Sequence, residues 1–189
     1  MFLMNPKTGG TSLMHFVACM NACKGGNIFQ GRFHTTLYQP NSYVTLREPC
    51  ARALSGYHHL KHSYSNQGEC KPPLPSRCSQ HWIHNMSFEH FVDILPAIVQ
   101  TWRPSHSGSF GRHLVVVKPQ STWVQNESKI ICTNRLGQEL QNLSGNCNCS
   151  MLKDNSGTYE KQEMYSSVCE KVKSIYKQDQ AMFEAKCQY

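Results

Sequence analysis

Residues 5–13 of the chain, Asn5-Pro6-Lys7-Thr8-Gly9-Gly10-Thr11-Ser12-Leu13, combine the groups that an anion site needs. Lys7 supplies a point charge, and Thr8, Thr11 and Ser12 supply hydroxyl donors. Gly9 and Gly10 carry no Cβ, so the backbone there can bend tightly and bring its N–H groups close to a phosphate. The apolar start Met1-Phe2-Leu3-Met4 reads as a strand, and residues 12–23 read as a helix. Strand, glycine turn and helix start aim unpaired N–H groups and the positive end of the helix dipole at one point. The run is not a nucleoside-triphosphate loop. That motif ends in lysine followed by Ser or Thr, whereas here the lysine precedes the glycines.

A second segment, Tyr43-Val44-Thr45-Leu46-Arg47-Glu48-Pro49-Cys50-Ala51-Arg52-Ala53-Leu54-Ser55-Gly56-Tyr57, has complementary chemistry. Residues 43–46 read as a buried strand, Pro49 suits a helix start, and Ala51 onward suits the helix itself. Arg47 then falls at the carboxyl end of a strand, where open α/β sheets hold ligands. Ser55 follows about two turns into the helix, on a face that can look back at Arg47. A planar fork of donors beside a hydroxyl suits a second phosphate. The competing reading is a capping ion pair and a serine packed against a helix. Arg52 reads as a structural partner rather than a ligand.

Together the two segments resemble the sulfotransferases that use 3′-phosphoadenosine 5′-phosphosulfate (PAPS). They are most similar to the Golgi carbohydrate group that includes the heparan sulfate 2-O- and 6-O-sulfotransferases. In that family a Pro-Lys-Thr-Gly-Gly-Thr-Ser-Leu loop cradles the 5′-phosphosulfate, and an Arg-x-Pro-x-x-Arg-x-x-Ser segment holds the 3′-phosphate. Both patterns occur here in the family's order, at residues 6–13 and 47–55. Weaker similarity continues through residues 118–124, 129–133 and 175–183. The resemblance implies a P-loop-like α/β fold, with a mainly parallel sheet flanked by helices and a truncated first strand.

The same resemblance implies a function: transfer of the PAPS sulfuryl group to a carbohydrate hydroxyl, with no metal required. Lys7, Thr8, Gly9, Gly10, Thr11, Ser12, Arg47 and Ser55 would bind the donor, and Lys7 would also act in catalysis. Related 2-O-sulfotransferases carry a catalytic histidine just upstream of the second strand, which here points to His34 as base. An imidazole with a pKa near 6.5 is matched to that task. A surface or structural role competes for His34, since the chain has ten histidines. Two readings from other classes stand beside the enzyme: a non-catalytic glycan- or nucleotide-binding relative, and a nucleotide-dependent kinase. Against the kinase stand the missing Lys-Ser/Thr ending and the lack of an obvious magnesium-binding acid.

The elements that must position these residues fit one domain of 189 residues, with a loop-rich insertion at about 62–80. Alternating strands and helices indicate an α/β fold with a mainly parallel sheet. Residues 114–117 and 129–133 are strand candidates. Residues 87–100 and 136–143 are helix candidates, with Ser87 as an N-cap, and 160–186 reads as one long amphipathic helix. Lys24-Gly25-Gly26-Asn27 should stop the first helix. Gln120 and Trp123 read either as core or as lining of an acceptor cleft. His58 and His62 lie one helical turn apart, but two nitrogen ligands do not make a zinc site, and a solvated helix face is the favoured reading.

Charge and cysteines narrow the setting. A net charge of +7 favours polyanionic partners, and an anionic nucleotide plus an acidic glycan accounts for it. Nucleic acid is not expected, since there is no basic run, aromatic-basic interleaving or zinc-finger spacing. Ten cysteines suit an oxidising compartment, as do four glycosylation sequons at Asn85, Asn126, Asn142 and Asn148. Cys70 and Cys78 look like the ends of a disulfide-closed loop. Cys147 and Cys149 are too close to pair and should reach separate partners. The resemblance implies the Golgi lumen, with membrane attachment only through an N-terminal anchor that this chain lacks. Secreted and cytoplasmic settings are the alternatives.

Overall fold

The computed structural model describes residues 2–4, 9–26, 31–33, 41–65, 83, 85–101, 115–125, 128–149 and 166–188. Its centre is a four-stranded sheet in the order β2-β1-β3-β4, made of β1 (Phe2–Met4), β2 (Gly31–Phe33), β3 (Tyr43–Leu46) and β4 (Lys129–Cys132). Every pairing is parallel. Side-chain alternation along β4 separates the two faces of the sheet. Ile131 joins the apolar cluster of α1 (Gly10–Lys24) and α4 (Leu136–Ser144), whereas Ile130 and Cys132 join Leu46, Phe183 and Cys187. Phe2 and Tyr43, paired across β1 and β3, stack with ring centroids 4.9 Å apart.

Helix α1 forms because Leu13, Phe16, Val17 and Met20 recur at helical spacing, and all four are buried. It stops at Gly25, which adopts the left-handed conformation (φ 72°) while the Gly26 N–H reaches the Asn21 carbonyl at 3.1 Å. Helix α2 (Pro49–Ser65) buries Cys50, Ala53, Tyr57 and Leu60 against Phe91, Val92 and Leu95 of α3 (Phe88–Thr101) and Val172 of α5 (Ser166–Ile175). Ser87 caps α3, its hydroxyl accepting the His90 N–H at 3.2 Å.

Two expectations are overturned. The valine run expected as a strand at 114–117 is a 3₁₀ turn at Val115–Val117. Its β-branched residues favour strands, yet among the described residues no strand pairs with it. Val116 instead packs over Gly56 of α2, and the Val117 carbonyl accepts the Tyr176 hydroxyl. The single C-terminal helix expected over 160–186 is two, α5 and α6 (Lys177–Cys187), broken at Tyr176. The break lets α5 face α2 and α3 while α6 faces β4. Residues 160–165 lie outside the described residues.

Four disulfides tie these layers: Cys19–Cys149, Cys23–Cys147, Cys50–Cys169 and Cys132–Cys187. Cys147 and Cys149 do take separate partners, one helical turn apart on α1, so a tight turn is clamped twice to one helix. The Cys70 to Cys78 loop lies outside the described residues. No helix among the described residues is long and apolar enough to cross a membrane.

Candidate anion-binding site

The strand order decides where a ligand can enter. The chain leaves β1 through α1 and returns as β2 on one side, whereas β3 lies on the other side of β1 and leads through α2 towards β4. The connections after β1 and β3 therefore depart in opposite directions. The carboxyl ends of β1 and β3 thus form a topological switch point, the position where open α/β sheets bind ligands. The register, Phe2 opposite Tyr43 and Leu3 opposite Val44, sets those ends side by side.

The described parts of both sequence motifs follow the two strands that meet at this switch point. Gly9, Gly10, Thr11 and Ser12 form the start of α1, which follows β1, and Arg47 follows directly on β3. Lys7, Thr8 and His34 lie outside the described residues. Ser55 is on α2 and only 5% exposed, on the same flank of the helix as the buried Arg52. Thr11 is exposed and Ser12 half-buried.

The two helix starts differ in what they leave open. α1 begins after Gly9 in the left-handed conformation (φ 81°), with no side-chain cap and no acidic residue in its first turn. A glycine at the cap has no side chain to occupy this end, and the positive end of the helix dipole favours an anion there. α2 is closed by its own residue. The Glu48 carboxylate accepts the Ala51 N–H at 2.6 Å, which satisfies one leading N–H and places a negative charge at that end. The demand for glycine at position 9 comes from the fold as much as from a ligand. A Cβ there would lie 3.0 Å from Leu136 Cδ2, besides adopting a φ that side chains resist.

Beneath Arg47 runs a polar network that sequence reasoning did not find. The Arg47 N–H donates to Gln120 Oε1 (2.9 Å), and Gln120 Nε2 donates to the Arg47 carbonyl (2.7 Å). Asp179 on α6 accepts the N–H groups of Gln120 (2.7 Å) and Ser121 (2.8 Å). Arg52 is 2% exposed and donates to the Lys118 carbonyl. Burial pulls its guanidinium below the ordinary arginine range. Tyr176 and Asp179 oppose that shift, and the nearby charge of Arg47 adds to it.

Arg52 is thus a structural residue, as its sequence context suggested. Gln120 is fully buried and Trp123 nearly so, which decides between core and cleft in favour of core. Trp123 is flanked by two cations, with Arg52 6.0 Å and Lys118 5.1 Å from its ring centroid. One signal was available for Asp179: an acid on the buried stripe that also holds Tyr176 and Phe183 must find buried donors. Comparisons with protein-family models, curated proteins and solved structures gave no match.

Proposed function

We propose that this chain is a PAPS-dependent sulfotransferase of P-loop-like α/β fold that acts on a hydroxyl of a carbohydrate acceptor. The observation that carries the reading is the juxtaposition of its two anion-binding motifs. One heads the helix that follows β1 and the other follows β3, the two strands that meet at the switch point of the sheet. Two phosphate-type groups on one nucleotide need two separated cationic sites. A helix start entered through a left-handed glycine supplies one, and Arg47 with Ser55 supplies the other.

PAPS brings an activated sulfuryl group; the remaining contributions belong to the chain. Thr8 to Ser12 hold the 5′-phosphosulfate. Arg47 and Ser55 hold the 3′-phosphate. His34 takes the proton of the acceptor hydroxyl as its oxygen bonds to sulfur. Lys7 neutralises the negative charge that grows as the bond from sulfur to the bridging oxygen breaks and adenosine 3′,5′-bisphosphate leaves. Catalysis is then chiefly positioning and electrostatic stabilisation, as in phosphoryl transfer. The four disulfides suit an oxidising compartment such as the Golgi lumen.

The test is incubation with PAPS and a panel of acceptors, sulfate addition being read by mass spectrometry and compared with phosphate addition from ATP and magnesium. His34→Ala should keep nucleotide affinity and lose turnover by roughly 10²–10⁴, the usual worth of a positioned base. Lys7→Ala should weaken both, since its charge meets the donor in the ground and transition states. Binding of PAPS with no transfer to any acceptor would reduce the protein to a non-catalytic relative. Phosphate transfer would make it a kinase.

A further inference from the structure

Arg47 is held by its backbone rather than by its neighbours in sequence. β3 pairs with β4 as far as Leu46 opposite Cys132, after which the β4 chain turns into a 3₁₀ helix at Thr133–Arg135. The sheet ladder has ended at Arg47, and the Gln120 side chain continues it. Its primary amide presents an acceptor beside a donor, as a peptide unit does, and engages both backbone polar atoms of Arg47. Gln120 is itself immobilised. It is 0% exposed, and its N–H and that of Ser121 end on the two carboxylate oxygens of Asp179, which is 1% exposed. α6, which carries Asp179, is in turn fastened to β4 through Cys132–Cys187. A chain of buried and half-buried contacts thus runs from the C-terminal helix to the cation that follows β3.

We propose that Gln120 is a positioning residue that aims Arg47 at the donor's 3′-phosphate, with Asp179 as its anchor. This rests on the reading of Arg47 as the ligand of that phosphate. A guanidinium fork binds a phosphate well only when its direction is set, so loosening the backbone at its root should cost the 3′-phosphate contact and little else.

The experiment measures the affinities of adenosine 3′,5′-bisphosphate and 5′-AMP by calorimetry, for the wild-type protein and its variants. Gln120→Met keeps the volume of the side chain and removes both hydrogen bonds. The wild-type protein should prefer the bisphosphate by about tenfold or more, the worth of a charge-assisted contact. Gln120→Met should lose most of that preference while its 5′-AMP affinity stays within about twofold. Combined with Arg47→Ala, it should change the preference no further, because the two act through one contact. Asp179→Asn, which keeps shape but turns a donor towards one of the two N–H groups, should lose part of the preference and stands in if Gln120→Met does not fold. A wild-type preference that survives in the folded variant overturns the positioning role, whatever happens to its melting temperature. Equal affinities in the wild-type protein overturn the reading of Arg47 and the proposal with it.

Discussion

The double clamp on α1 gives a prediction whose size follows from connectivity. With Cys19–Cys149 in place, Cys23–Cys147 closes a ring of only about eight residues, five on α1 and three on the turn. In the chain-entropy account such a ring is worth about 2.5 kcal/mol. By symmetry, deleting either bridge alone should cost about that much. Deleting both opens a far larger ring. The sequence separation is 130, but Cys50–Cys169 provides a shorter route through residues 19–50 and 149–169, a ring of about fifty residues worth about 4 kcal/mol. The double deletion should therefore cost about 6.5 kcal/mol, against about 5 for the two single deletions added together. The assay is urea unfolding of Cys19→Ala/Cys149→Ala, Cys23→Ala/Cys147→Ala and the fourfold variant, followed by circular dichroism. Packing lost with each pair of sulfurs enters the single and double deletions alike and cancels in the cycle. Additive costs, or a fourfold variant less destabilised than the sum, would refute the reasoning.

Two further outcomes follow from single residues. Gly9→Ala should destabilise by about 1 kcal/mol more than Gly25→Ala: both impose a left-handed φ, but only at position 9 does the added methyl meet a neighbour, Leu136 at 3.0 Å. Equal midpoints in urea would show that Leu136 gives way freely. Tyr176 should appear in the alkaline limb of stability. Burial raises its pKa, with Asp179 adding to the effect and Arg52 opposing it, so the folded state keeps the proton where the unfolded chain releases it. Its hydrogen bond to Val117 then stabilises fully below the unfolded value of about 10 and is progressively lost above it. Tyr176→Phe should be less stable by about 1–2 kcal/mol at neutral pH, and the gap should narrow above pH 10. A gap independent of pH would mean that Tyr176 titrates alike in both states.

How far the fold was legible depends on the range of the interaction that decides each element. Strands 43–46 and 129–132, the stop of α1 at Gly25 and the cap at Ser87 rest on neighbours in sequence, and all were readable. β2 was missed, since Gly31-Arg32-Phe33 has no alternation of its own and is a strand only through its ladder to β1. Val115–Val117 was misread for the converse reason: its propensity is for strands, but the partners it meets are Gly56 and the Tyr176 hydroxyl. The break at Tyr176 left no trace in the apolar pattern, because residues 169, 172, 176, 179, 183 and 187 keep an unbroken helical stripe across it.

The site divides along the same line. Glycines, hydroxyls and cations suited to an anion cluster in sequence when a single turn presents them, so residues 7–12 stand out as candidates without a structure, and Arg47 does so by its place after a strand. The residues that hold Arg47 in place obey no such constraint. Gln120 is 73 residues from Arg47 and 59 from Asp179, and an amide or a carboxylate at a buried position says only that a partner exists. What made Gln120 ambiguous in sequence, a polar side chain beside an aromatic one, is resolved by satisfaction of its amide. A cleft residue would turn its amide to a ligand, whereas Gln120 is fully buried and directs its oxygen and one N–H at the backbone of Arg47. On the proposed reading its influence on a ligand runs through Arg47, so the ratio of bisphosphate to monophosphate affinity is the quantity that separates a positioning role from a merely structural one.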